Sequence, residues 1–283
     1  MRKWTLMGLA VMAFGCAHGG EPDIATLASN SDQVIWEAGQ KAFERRQWES
    51  ARQHFRRIID GFPNSPFGPQ ARLTLADSYF KEGGTANYVL AAGSYREFLT
   101  FYPSHARSDY AQFQVGESFY KQRNGPDRDQ TSTLQALDEY QKVVQYYPSS
   151  TLAPQARERV TELRQSLARA EFLAGYFYQR TREAYRAAVT RYEGILKDYP
   201  DYKQMDEVLL RLAQSLSLSG RTGEALPHLD RLLREHPNSP HAVEARQLQA
   251  QLQAAPPAPA PAVSPASTPA VSPAPTPSPS PAN

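Results

Sequence analysis

Six histidines, one cysteine and the acidic side chains are the residues of this sequence that could take part in catalysis or bind a metal. The histidines lie far apart along the chain, and the single cysteine has no partner for a disulfide or a paired-cysteine metal site. The sequence contains no GxxxxGK(S/T) phosphate loop, no HExxH and no GxSxG. We therefore predict a protein that is not an enzyme and that needs no cofactor and no metal.

One short acidic loop, Asp127-Arg128-Asp129, could attract a cation because it places two carboxylates close together. Its arginine and the following Gln130-Thr131 favour another interpretation, since arginine, glutamine and threonine are typical of a solvated turn that leads into a helix. We predict such a turn at this loop.

The chemistry of the single cysteine, Cys16, depends on the segment that precedes it. Met1-Arg2-Lys3 is cationic, residues 4–14 form a largely apolar run of eleven, and Gly15 comes directly before the cysteine. Such a run is too short to span a bilayer but suits a secretion signal. The segment resembles a bacterial lipobox, although Ala13 and Phe14 depart from its usual residues.

This resemblance implies a signal peptide over residues 1–15, acyl chains on Cys16 and a lipidated linker over residues 16–31. Ala17 follows the cysteine instead of the Asp that retains many lipoproteins at the inner membrane. We therefore expect an outer-membrane anchor that faces the periplasm. The alternative is an ordinary signal peptide cut near residues 17–19.

Five stretches of the chain share one residue pattern, the repeat phrase, and each ends with a ring side chain followed by proline. Alanine lies twelve residues before each proline, a large apolar residue eight before it, and an aliphatic or Phe side chain five before it. These intervals place the side chains on one stripe of an α-helix, and the proline ends that helix. The phrases are Ala51, Phe55, Ile58 and Phe62-Pro63; Ala91, Tyr95, Phe98 and Tyr102-Pro103; Ala136, Tyr140, Val143 and Tyr147-Pro148; Ala188, Tyr192, Ile195 and Tyr199-Pro200; Ala225, Leu229, Leu232 and His236-Pro237.

A second helix precedes each phrase, and a small residue marks where it approaches its partner closely. In the first and last repeats this small residue lies twelve positions before the alanine, and twelve more positions reach the proline. This spacing resembles the tetratricopeptide repeat (TPR), a helical hairpin of roughly 34 residues. The small residues are Gly39, Ala76, Gly116 and Ala213, with Ala174 or Gly175 as candidates in the fourth repeat.

We predict an all-α protein, a TPR solenoid of about five helical hairpins; the alternative is an irregular helical bundle. The net charge of +2 does not favour nucleic-acid binding. The predicted TPR domain covers residues 32–253, with repeats at approximately 32–65, 66–106, 107–151, 152–203 and 204–253.

In a TPR stack the first helices of successive hairpins line a concave groove. Side chains three residues before, one after and four after the small residue should face this groove, and they are apolar, polar and aromatic in turn. Such a face could bind an extended peptide; the alternative is that its rings, above all Phe43 and Phe80, pack between repeats. The predicted groove residues are Trp36, Gln40, Phe43, Leu73, Asp77, Phe80, Phe113, Glu117 and Tyr120.

The C-terminal segment, residues 254–283, has no charged residue and contains eleven of the 23 prolines, among Ala, Ser, Thr and Val. Because such a composition cannot bury enough apolar surface to offset the entropy of ordering, we predict a disordered tail. A spacer is one interpretation of it, and a dedicated docking motif is the other.

Three motifs resemble a known family more closely than the TPR pattern alone requires. They are FPNSPFGPQARL at residues 62–73, DRD at 127–129 and RYEGILKDYPD at 191–201. Together with the lipoprotein signal and five TPRs, they resemble the BamD family, the periplasmic lipoproteins of the β-barrel assembly machinery. The similarity covers roughly residues 32–240 and does not include the proline-rich tail.

The resemblance implies a function and two kinds of protein partner. The N-terminal repeats would bind unfolded outer-membrane β-barrel proteins, and the C-terminal repeats would bind the POTRA region of BamA. Arg191 and Glu193, in the R-x-E-G motif, would contact BamA, with the arginine forming a charge-assisted pair across the interface. Another TPR outer-membrane lipoprotein, a secretin pilotin or a cell-envelope adaptor, is the alternative.

Overall fold

A computed structural model describes residues 31–254 of the chain. Eleven α-helices and no strand occur within this range. The signal peptide, Cys16 and the proline-rich tail predicted from the sequence lie outside the described residues. The helices are α1 (Asp32–Glu44), α2 (Trp48–Gly61), α3 (Gly68–Glu82), α4 (Thr85–Phe101), α5 (Ser108–Tyr120), α6 (Thr131–Tyr146), α7 (Ala153–Arg180), α8 (Tyr185–Asp198), α9 (Met205–Leu218), α10 (Thr222–Glu235) and α11 (Ala242–Ala254).

Helices α1 to α10 form five hairpins, and α11 follows the last of them. Each helix packs mainly against its neighbours in the chain, so that the second helix of one hairpin contacts the first helix of the next. This sequential packing is what a TPR solenoid requires. The all-α class and the five hairpins predicted from the sequence are confirmed.

The repeated stripe forms the core of every hairpin. All alanine, large apolar and aliphatic positions of the five phrases have zero exposed surface. The ring residue that follows ends each helix with nearly the same backbone conformation, with φ between −127° and −135°. Its N–H donates to the carbonyl of the stripe residue four positions earlier, as in Tyr102 to Phe98. The proline that comes next has no N–H with which to extend the helix.

The small residue of the first helix receives the ring of the second helix. A Cβ added to Gly39 would lie 2.7 Å from Cε1 of Phe55, and at Gly116 it would lie 2.9 Å from Cε1 of Tyr140. In the fourth repeat the sequence left Ala174 and Gly175 open, and the contact falls at Gly175, where a Cβ would lie 2.7 Å from the Tyr192 ring. Glycine is needed at these positions because the ring occupies the space of a side chain.

Helix α7 has 28 residues, roughly twice the length of the neighbouring helices, and it connects two parts of the core. Its N-terminal half contributes Ala156 and Leu163 to the cluster that extends back to α3. Its C-terminal half contributes Ala168 and Phe172 to the cluster that includes α8 to α11. A third cluster joins α1, α2 and the start of α3.

None of the helices between residues 31 and 254 combines the length and the apolar character needed to cross a membrane.

Candidate protein-binding site

The carboxylate of Asp77, which the sequence places on the predicted groove, accepts hydrogen bonds from within the fold. Oδ1 of Asp77 accepts from the hydroxyl of Tyr95 at 2.6 Å and from that of Tyr110 at 2.8 Å. Burial raises the pKa of the Asp77 carboxyl above its ordinary value despite these bonds. It also raises the pKa of both tyrosine hydroxyls, which therefore stay protonated and donate. One atom of the carboxylate is thus already used by two neighbouring helices.

Glu117 repeats this arrangement one hairpin further on. Its Oε1 accepts from the hydroxyl of Tyr140 at 2.7 Å and from Nε of Arg159 at 3.2 Å. Glu117 is only 9% exposed, so a peptide could reach little of this side chain. Burial raises the pKa of the Tyr140 hydroxyl, and hydrogen bonding to Glu117 adds to that increase.

Tyr120 lies between two arginines instead of in an open groove. The guanidinium carbons of Arg123 and Arg159 lie 3.6 Å and 4.1 Å from its ring centroid. Its hydroxyl donates to Oε1 of Glu162 at 2.6 Å and accepts from Nη1 of Arg159 at 2.8 Å. The ring therefore connects α5 to α7. Leu73 and Phe113, from the same predicted face, are also buried.

The N-terminal end of the predicted face is more accessible. Trp36, Gln40, Phe43 and Phe80 are each half-buried. Trp36 stacks on Phe67 with ring centroids 5.6 Å apart, which brings the start of α3 against α1. The sequence-predicted groove residues are therefore not equally placed to meet a peptide, and the accessible aromatic surface is concentrated on α1 and the end of α3.

Other contacts stabilise these rings from the side. Phe43 packs edge-on against Trp48, with centroids 5.4 Å apart, and Nζ of Lys81 lies 4.8 Å from the Phe43 centroid. Phe80 packs against Tyr88 at 5.5 Å. Each ring thus has an intramolecular contact on one side while it keeps part of its surface exposed.

Arg191 lies in an open groove between α7 and α8. Its Nη1 donates to Oε2 of Glu171 at 3.0 Å, and this hydrogen bond raises the pKa of the guanidinium, which stays charged. Both side chains remain substantially exposed, at 44% for Arg191 and 38% for Glu171. The groove has a volume of about 480 Å³. It is lined by Glu171, Tyr178, Ala187, Thr190, Arg191, Gly194, Asp198 and Tyr199.

Gly194, the glycine of the R-x-E-G motif, leaves the floor of this groove clear. A Cβ at this position would meet no atom within 4 Å, so the glycine is not required by packing inside the chain. The absence of a side chain keeps the approach to Arg191 open. Sequence reasoning identified Arg191 but missed Glu171, because no local pattern relates a residue of α7 to one twenty positions later.

Glu193 points to a different neighbour from Arg191. Its Oε1 lies 3.7 Å from Nη2 of Arg221, which also pairs with Glu224 at 2.7 Å. Arg191 and Glu193 are both on α8, but they form ion pairs with different elements, Arg191 with α7 and Glu193 with the residue before α10. Arg191 is the one that lines the groove.

The loop at Asp127-Arg128-Asp129 is organised as a turn into α6. Oδ1 of Asp129 accepts from the hydroxyl of Thr131 at 2.9 Å, and its Oδ2 accepts from the Thr131 N–H at 3.3 Å. Across the part of the chain from 31 to 254, no group of three or more His, Cys, Asp or Glu residues could bind a metal ion.

Stacked helical hairpins, in which a ring of the second helix packs against a small residue of the first, define a TPR-type helical-repeat protein. The model of the YfiO family, described as outer membrane lipoprotein, matches residues 28–225. The chain therefore belongs to this family. Proteins named outer membrane protein assembly factor BamD are similar to this chain over most of their own length.

The BamD of Haemophilus influenzae is 25% identical over 232 residues, which are 80% of this chain and 87% of that protein. The BamD of Vibrio cholerae is 26% identical over 252 residues, covering 84% of this chain and all of that protein. Among solved structures, the TPR2AB domain of yeast Sti1 in complex with pHSP90 matches with a TM-score of 0.43 and 16% identity. That match covers 78% of this chain and 83% of the Sti1 chain.

Proposed function

We propose that this chain is a non-enzymatic adaptor in the assembly of outer-membrane β-barrel proteins. Acyl chains on Cys16 would attach it to outer-membrane lipid, with the repeats in the periplasm. The observation that carries the proposal is the open groove at Arg191, which lies inside the region matched by the family model. No bond is made or broken in this function, because the chain acts by binding.

The groove is suited to a carboxylate of a protein partner, which we propose to be the POTRA region of BamA. The Arg191 guanidinium is planar and can bind a carboxylate through two parallel hydrogen bonds. Its present partner Glu171 is exposed, so an incoming carboxylate can share the guanidinium or replace that contact. Tyr178 and Tyr199 give the groove apolar surface around the charge. Glu193 lies outside the groove lining and would contribute at its edge.

The binding test compares Arg191→Ala with Arg186→Ala, a matched loss of an exposed arginine from the same helix. Affinity for the purified POTRA region of BamA is measured by isothermal titration calorimetry. Arg191→Ala should weaken binding by roughly tenfold to a hundredfold, because it removes a charge-assisted pair from the interface. Arg186→Ala should leave it unchanged. Equal affinities of the wild type and both variants for the POTRA region would refute the role of the groove.

The second proposed partner is an unfolded barrel protein, held by the accessible aromatic surface of Trp36, Phe43 and Phe80. A nascent barrel strand exposes unpaired backbone groups and apolar side chains, so its capture limits aggregation. The double variant Trp36→Ala, Phe80→Ala should lower affinity for a peptide that ends in an aromatic residue. Circular dichroism must show that the variant stays helical, since Trp36 also stacks on Phe67. Unchanged affinity in a folded variant would exclude this surface.

Membrane attachment is tested separately. Mass spectrometry of the mature protein should show an acylated N-terminal Cys16, and Cys16→Ala should move the protein from the outer-membrane fraction to the soluble fraction. Depletion of the chain should reduce the amount of folded barrel protein in the outer membrane. Unacylated mature protein, or normal barrel levels after depletion, would contradict the proposal.

A further inference from the structure

A second groove lies between the C-terminal end of α7 and the helices α9 and α11. Its volume is about 580 Å³, and Arg180, Arg211, Leu218 and Gln251 are among the residues that line it. It shares no lining residue with the groove at Arg191. The function proposed above makes no use of it.

Hydrogen-bond donors in this groove are incompletely used. Nε of Arg211 is buried and has no acceptor among residues 31–254. Nη1 of Arg211 reaches Oε1 of Gln214 only at 3.3 Å, and Nη2 reaches Glu207 only at 3.5 Å. Because Nε is buried, an occupant of the groove can accept only from Nη1 and Nη2 of Arg211, whose present contacts are long. The site therefore favours an occupant that supplies acceptors.

The charges of the groove balance. Arg180 and Arg211 supply two positive charges, while Glu183 and Glu244 supply two negative ones. Neither an acidic nor a basic peptide therefore gains from the overall field. Leu218, which is 59% exposed, adds apolar surface. The lining thus suits an uncharged chain that is rich in acceptors and has apolar side chains.

The proline-rich segment of the same chain has this chemistry. Residues 255–283 contain no charged side chain, and prolines recur every fourth position from Pro257 to Pro281. Each proline offers a carbonyl acceptor but no N–H donor. Polyproline segments bind in aromatic-lined grooves, and Tyr185 is the aromatic residue that lines this one.

The connection to the groove is short. Helix α11 ends at Ala254, and Gln251, in its last turn, lines the groove. The described chain therefore ends beside the site, and residues 255–283 follow from there in the sequence. At ~3.1 Å per residue, about six residues of extended polyproline span roughly 19 Å, a small part of this segment. The tether also gives an effective concentration on the order of millimolar, which favours weak binding within the chain.

We propose that the segment 255–283 binds back into the groove between α7, α9 and α11. In that position it competes with any other extended polypeptide for the last two repeats. The proposal concerns a surface separate from the Arg191 groove, so its failure would leave the proposed interaction with BamA untouched.

The test uses the full chain with Cys16→Ser and a spin label on Ala270→Cys. Amide signals of Leu218, Leu248 and Gln251 should lose intensity when the label is paramagnetic, while signals on α2 and α4 should not. Leu218→Asp, which puts a charge against an uncharged segment, should weaken docking by about tenfold and restore the signals. Leu134→Asp is the matched control, because Leu134 is 51% exposed on α6.

Three results would overturn the proposal. One is uniform broadening across all helices, and another is broadening that Leu218→Asp leaves unchanged. The third comes from mixing isotope-labelled chain with spin-labelled chain that carries no isotope. Broadening at the groove in this mixture would mean that the occupant is a second copy, because the label and the observed amides are then on different molecules.

Discussion

The middle repeats and the C-terminal repeats fill the same packing position of the second helix with side chains of different chemistry. In the middle repeats, α3 to α6, the ring of the second helix carries a hydroxyl that donates to a carboxylate, as Tyr140 does to Glu117. In the C-terminal repeats, α7 to α10, Tyr192 donates instead to the neutral amide of Gln179 at 3.1 Å, and the last repeat has Leu229. Helix docking therefore needs only the volume of the side chain. A buried hydroxyl adds the need for an acceptor, and the middle repeats supply it with charge.

The largest effect on stability should come from a break in α7, the helix that connects the two regions. Ser166→Pro lies in α7 between Leu163 and Ala168, which belong to different core clusters. Proline in a helix interior costs ~3 kcal/mol or more, because it removes a hydrogen bond and clashes with the preceding turn. Urea unfolding followed by circular dichroism should then show two transitions. Ser166→Ala is the control, and a single transition in both variants would mean that the regions unfold together despite the break.

The second prediction compares the charged acceptor Glu117 with the neutral acceptor Gln179. Tyr140→Phe removes a hydrogen bond to a carboxylate and should lower the free energy of unfolding by about 1.5–3 kcal/mol. Tyr192→Phe removes one to a neutral amide and should lower it by only about 0.5–1.5 kcal/mol. Both are measured by urea denaturation at neutral pH. Equal losses would contradict the distinction between charged and neutral acceptors.

A smaller effect should appear as a pH dependence that Asp77 contributes in the middle repeats. Burial raises the pKa of Asp77 above the ordinary 3.8, so the folded state keeps this proton to higher pH than the unfolded state. This contribution to stability is present below 3.8 and is lost as the pH rises through the folded-state pKa. Asp77→Asn removes the titration and should gain stability relative to the wild type as the pH rises.

The comparison is made by urea unfolding between about pH 3.5 and pH 7, a window that spans the ordinary and the raised pKa of this carboxyl. Gln179→Glu provides the reverse exchange, since it puts a carboxylate where the C-terminal repeats have an amide. It should introduce a fall in stability with rising pH. A wild-type chain and an Asp77→Asn variant with parallel pH profiles would show that Asp77 does not titrate differently on folding.

The smallest effect on stability should come from Arg191→Ala. Arg191 and Glu171 form an exposed ion pair, and such pairs contribute less than ~1 kcal/mol. The thermal midpoint should therefore stay nearly unchanged, in contrast to the middle-repeat variants. A large drop in the midpoint would mean that Arg191 stabilises the C-terminal repeats, and its effect on partner affinity would then need a different explanation.

The fold was largely predictable because its rules are local. Ala, ring and aliphatic positions at fixed distances from each proline define one helical face, and every one of them is fully buried. The fourth repeat was ambiguous because Ala174 and Gly175 are both small. Only the position of the Tyr192 ring, which packs on Gly175, decides between them.

The candidate site was less predictable because it depends on contacts between distant residues. Helical spacing placed Asp77 and Glu117 on the inner face, but it could not show that tyrosine hydroxyls from the next helices already occupy them. It also could not show that two arginines enclose Tyr120. At Arg191 the family motif identified the residue, while the open groove beside it is a property of the folded chain.

The continuity of α7 also limits how the chain can change in length. One residue inserted near Ser166 would turn everything after it by about 100° and shift it by about 1.5 Å along the helix axis. Arg191 would then face a new direction relative to the first three hairpins. Insertions of seven or eleven residues come close to whole numbers of turns and nearly restore the original angle. Length changes in this helix should therefore be tolerated in such steps and not one residue at a time.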